Sequence, residues 1–134
     1  MCLEVSVLLP RGEKSKIGDK SVAEASGLHV NKYRSDDGRE TFHLSHGGGC
    51  SCDLLPKKFS WANSNWVLVP DRLPQIVAAV SKIASGSSKF SFRARWLGLD
   101  PPDPRKEDVG LKALLGIIRS NSIGNGVEYV VGSA

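Results

Sequence analysis

The 134-residue sequence predicts an α+β fold: a two-layer sandwich with a mixed or antiparallel sheet of about four to six strands and two main helices. Three observations carry that expectation. Apolar residues alternate with period two at Leu3, Val5, Val7 and Leu9, and again at Phe90, Phe92, Ala94 and Trp96, as strands with one buried face require. Three- and four-residue spacing relates Leu73, Ile76, Val77, Val80, Ile83 and Ala84, and then Val109, Leu111, Leu114, Leu115 and Ile118, as amphipathic helices require. Turn-forming clusters separate these stretches. The order strand, short helix, hairpin, helix, strand, helix, strand suggests a ferredoxin-like split arrangement within a single domain spanning 1–134.

Each element has its own local reason. Pro10 and Gly12 end the first strand. The stretch "KSVAEASGL" reads as a short helix, capped by Ser21 with Glu24 three positions on and stopped by Gly27. Asp36, Asp37 and Gly38 supply turn chemistry between the two arms of a hairpin. "WVLVP" reads as a short buried strand or as the approach to the next helix. That helix is expected to be capped by Asp71, with Pro74 in its first turn and Gly86 at its end. The prolines of "LGLDPPDP" exclude a central strand and predict a rigid turn. Asp103 then caps a second full helix with Pro104 at its first position, in which Gly110 and Gly116 permit close packing on the sheet. "GNGVEYVV" closes the chain with a turn and a last strand.

Composition excludes several classes. No apolar run approaches the roughly 18 residues of a membrane span. The opening "MCLEVSVLLP" lacks a basic leader and a small-residue cleavage site, so a soluble cytoplasmic protein without a membrane partner is expected. Three cysteines are too few for a disulfide scaffold and fit reduced thiols.

Chemistry-bearing residues concentrate in "HLSHGGGCSCDLL", residues 43 to 55. His43, His46, Cys50 and Cys52 are the donor types that hold zinc in a tetrahedron. Their gaps of one and two residues are shorter than the usual ligand spacing, and in an extended strand His43 and His46 leave opposite faces. The same parity places Cys50 and Cys52 on the core side with Phe42 and Leu44, which favours two small buried thiols. A disulfide between them demands a turned backbone, because two strand rises separate the Cα atoms by about 6.6 Å and the Cβ atoms lie too far apart. A thiolate activated by either histidine and oriented by Asp53 matches no hydrolase signature. Gly47, Gly48 and Gly49 suit a small oxyanion nest; a nucleotide loop is excluded, because no helix follows them before Pro56.

Charge supplies a different class of function. Residues 1 to 40 balance seven basic against seven acidic side chains. From 57 to 95 the basic residues are Lys57, Lys58, Arg72, Lys82, Lys89, Arg93 and Arg95, against Asp71 alone. Lys89, Arg93 and Arg95 share the strand face opposite Phe90, Phe92 and Trp96. They predict a basic surface for an acidic protein or for nucleic acid. Trp61 and Trp66 read as core or interface residues rather than stacking platforms. The acidic pairs Asp36–Asp37, Asp100–Asp103 and Glu107–Asp108 all fall in turn or cap contexts and gain no catalytic role. The expected function is a noncatalytic binding or interaction module with a basic face; the alternative is a thiol- or zinc-dependent site in the loop from His43 to Asp53.

Overall fold

A computed structural model describes residues 2–55, 67–97, 104–124 and 126–132. Lys57, Lys58, Trp61, Trp66, Asp100, Asp103 and most of the proline-rich turn lie outside the described residues. Among those described, six strands form one open mixed sheet and three helices accompany it. The order along the chain is β1 (Cys2–Leu8), α1 (Asp19–Ser26), β2 (His29–Arg34), β3 (Glu40–Ser45), α2 (Leu73–Ala84), β4 (Phe90–Leu97), β5 (Arg105–Val109), α3 (Leu111–Arg119) and β6 (Val127–Val131). Across the sheet the strands run β2-β3-β1-β4-β6-β5. Every pairing is antiparallel except that of β5 with β6, which α3 bridges.

Register turns the period-two alternation into two chemically distinct faces. Val5 lies opposite Leu44 and Ala94, and Val7 opposite Phe42 and Phe92. Phe92 in turn lies opposite Tyr129, and Phe90 opposite Val131. These side chains are buried in one cluster with Val22 of α1, Ile76, Ala79, Val80 and Ile83 of α2, and Leu114 and Ile118 of α3. The helices therefore cover this face, and removal of apolar surface from water holds them there. Truncating Phe42 or Phe92, both fully buried, to alanine is expected to cost about 3–5 kcal/mol. The opposite face carries Glu4, Ser6, Thr41, His43, Arg93, Arg95, Lys106 and Glu128.

Several boundaries differ from the sequence expectation, each for a physical reason. Gly18, not Ser21, is the N-cap of α1, and it supplies no side-chain bond; Gly27 does end the helix, in the left-handed conformation (φ 75°). Asp71 does not cap α2, because a 3₁₀ turn over Pro70–Arg72 runs directly into that helix. "WVLVP" contributes no strand among its described residues. Instead Asn121 accepts the Leu68 N–H at 3.0 Å and donates to the Leu68 carbonyl at 2.9 Å, satisfying the backbone of a fully buried residue. The second full helix starts at Leu111 rather than near Pro104: Gly110 is its N-cap, and residues 105–109 form β5. β5 reads as "RKEDV" and lies at the sheet edge, where charged side chains discourage pairing with another chain. Gly116 faces open space, so close packing does not require it.

Candidate functional site

The glycine-rich segment is joined into the sheet rather than extended along it. β3 ends at Ser45, the chain reverses through Gly47–Gly49, and a 3₁₀ turn over Ser51–Leu54 returns beside β1. The buried residues of this turn are Ser51, of odd parity, and Leu54, while Cys50 and Cys52 are half-buried. Continuous extension, on which the inward placement of both thiols depends, fails at the glycines. The Ser51 hydroxyl accepts the Val5 N–H at 2.9 Å and donates to the Leu44 carbonyl at 2.6 Å. Val5 and Leu44 form the last paired position of β1 with β3, so this one side chain completes the ladder where the strands part. The Cys52 thiol takes the Leu3 N–H at 3.1 Å and packs against the core.

The proposed ligands of this loop are already engaged with the chain itself. The Asp53 carboxylate accepts the N–H groups of His46 at 2.8 Å and Gly47 at 2.7 Å, and the Ser45 hydroxyl accepts that of Gly48. The oxyanion nest is thus filled by an internal carboxylate. Gly48 has φ 93°, and a Cβ there would lie 3.2 Å from the His29 ring. His43 donates through Nε2 to the Gly49 carbonyl at 3.1 Å, since a carbonyl only accepts. His46 accepts from the Arg72 guanidinium at 3.2 Å, since arginine only donates. Among the described residues no three His, Cys, Asp or Glu side chains group as a metal would require.

The face opposite the helices is organised by ion pairs between residues far apart in sequence. Asp37 meets Arg39 at 2.8 Å, and Arg39 grips Glu128 with both Nη atoms at 2.9 and 3.1 Å. Glu128 meets Arg93 at 3.5 Å, Arg93 Nε donates to Glu4 at 3.0 Å, and Arg95 Nε donates to the same Glu4 oxygen at 3.2 Å. The result is a ladder of alternating sign, Asp37–Arg39–Glu128–Arg93–Glu4–Arg95. Its middle is buried: Glu128 is 1% exposed, and Arg93 and Glu4 are 5% exposed. Arg93 was expected to point into water from a basic face. It takes the expected side of β4, yet two carboxylates neutralise it and neighbouring side chains enclose it.

Around this ladder lies a groove of about 830 Å³. Among the described residues six cations line it: Arg11, Arg34, Arg39, Arg93, Arg95 and Lys106. Four carboxylates accompany them, from Glu4, Asp36, Asp37 and Glu128. Arg39 and Arg93 are committed to the ladder. Arg11, Arg34 and Lys106 form no ion pair among the described residues, so the groove keeps an excess of positive charge. Lys89 is exposed just before β4 and lines an adjoining cavity of about 530 Å³, which shares Arg39, Lys106 and Glu128 with the groove.

Titration follows this geometry. Burial tends to raise the Glu128 carboxyl, but the Arg39 fork and the nearby Arg93 outweigh it and hold the group below its ordinary value. Desolvation likewise opposes ionisation of Asp37; hydrogen bonds from Ser35 and Arg39 prevail and bring it down to about 2. Burial and the Glu4 carboxylate hold the Tyr33 phenol above 10.0, against the pull of Arg93 and Arg95. Tyr33, 38% exposed, therefore presents a neutral hydroxyl and a ring at the groove wall.

Sequence reasoning placed Arg95 on this face and did not single out Arg11, Arg34 and Lys106, which line the same groove from the loop after β1, the end of β2 and the start of β5. The parity of Lys106 with Glu128 was the available signal, and it required knowing that "RKEDV" is a strand. Comparison with protein-family models, with curated proteins and with solved structures returns no match.

Proposed function

We propose that this chain is a noncatalytic binding module that engages an acidic partner through the sheet face opposite its helices. The observation that carries the reading is the concave surface itself. Among the described residues its six cations outnumber its four carboxylates, and three of the cations have no ion-pair partner there. A groove with low-dielectric walls focuses the field of such an excess and raises the local concentration of a partner of opposite sign. The buried ladder holds the floor in place, so little ordering accompanies binding.

Binding of heparin and of poly-glutamate at low ionic strength tests this. Association is expected to weaken as salt rises, and the triple variant Arg11→Ala/Arg34→Ala/Lys106→Ala is expected to bind less and with a flatter salt slope. Absence of binding to either polymer, or a triple variant that binds as well as the parent, refutes the proposal.

A further inference from the structure

We infer that the groove's partner is an acidic polypeptide segment, held by guanidinium–carboxylate forks with Arg95 as anchor, rather than a nucleic acid; this rests on the docking face proposed above. The ladder stops at Arg95. Its Nε is committed to Glu4, and its two Nη atoms make no hydrogen bond among the described residues. The Arg39–Glu128 contact shows the chemistry that such an edge accepts, two parallel N–H···O bonds at 2.9 and 3.1 Å. A carboxylate placed on Arg95 continues the alternation by one more member.

The carboxylates of the groove decide against a nucleic acid. A phosphodiester chain carries one negative charge per nucleotide, whereas Glu4, Asp36, Asp37 and Glu128 interrupt the cations on every side. Single strands also need successive stacking rings, and among the described residues Tyr33 is the one aromatic side chain lining this groove. A polypeptide tolerates the mixed pattern. Its acidic side chains reach Arg95, Arg34 and Lys106, while its backbone N–H groups and neutral residues face Asp36 and Asp37.

The test is a pair of fluorescence-anisotropy titrations of the whole chain. One probe is a labelled peptide alternating glutamate and glycine, the other an oligothymidylate of equal charge. The peptide is expected to bind at least about tenfold more tightly. Arg95→Gln should weaken the peptide about tenfold, and Arg95→Lys should restore only part of it, because lysine keeps the charge and loses the fork. Arg34→Gln, which leaves the ladder intact, should weaken the peptide as well, and this variant carries the test if Arg95→Gln fails to fold. An oligothymidylate that binds as tightly as the peptide overturns the inference while leaving the docking face standing. An Arg95→Lys variant equal to the parent overturns the fork. Failure of both probes refutes the docking face itself.

Discussion

Replacing Glu128 by glutamine removes one charge from the middle of the ladder and keeps the shape of the side chain. In the parent, Glu128 receives two bonds from Arg39 at 2.9 and 3.1 Å and approaches Arg93 at 3.5 Å, at 1% exposure. Removing one partner of a buried ion pair typically costs about 3–5 kcal/mol, because the remaining charge is stranded away from water. Here Arg39 retains Asp37 and Arg93 retains Glu4, so the lower end, about 3 kcal/mol, is expected. That is a large share of the roughly 5–15 kcal/mol by which such a domain is stable. Urea unfolding at neutral pH measures it as a shift of midpoint at constant slope. The folded carboxyl lies below 4.5, so its stabilisation is complete above that value and fades as pH falls through the lower folded value. The gap between parent and variant should therefore narrow in acid. A loss below about 1 kcal/mol, the value of an exposed pair, or a gap that does not depend on pH, refutes the reasoning.

Three further outcomes follow from single contacts. Ser51→Ala strands the buried Val5 N–H and Leu44 carbonyl and should destabilise by about 2–4 kcal/mol in the same assay; a loss under about 1 kcal/mol would mean that the loop does not complete the ladder. Ser6→Ala should leave stability unchanged or raise it by up to about 1 kcal/mol, because the Ser6 hydroxyl is buried without a hydrogen-bond partner among the described residues; a clear loss on urea unfolding would reveal a partner. Gly132→Ala should lower stability by about 1–3 kcal/mol, since φ is 78° and a Cβ would fall 2.2 Å from the Ser88 carbonyl oxygen; a neutral outcome contradicts that backbone geometry.

What the sequence disclosed depends on how far each signal reaches along the chain. β1 and β4 were legible because a half-buried strand writes its own alternation, and α1 ended at Gly27 as expected, whereas α2 stops at Ala84 with Ser85, not Gly86, as its C-cap. β5 was not legible: an edge strand exposed on both faces has no apolar period, so Val109 was read into the helix that follows it. Ser51 was hidden because parity was carried through three glycines that reverse the chain. The ladder was hidden for a different reason. Glu4 and Arg93, like Arg39 and Glu128, stand 89 positions apart, and only strand order makes them neighbours. Lys89, Arg93 and Arg95 consequently looked like three equivalent cations. Arg93 is locked between two carboxylates, Arg95 ends a row, and Lys89 lies to one side.

Side-chain ¹H–¹⁵N NMR of the arginine Nε–H groups during titration with the glutamate–glycine peptide tests the central claim most directly. The account predicts shifts at Arg95 and Arg34, a much smaller change at the enclosed Arg93, and no change in the backbone amides of residues 46–48, which Asp53 and Ser45 already hold. Shifts concentrated at residues 46–53 with the groove arginines unmoved would contradict it.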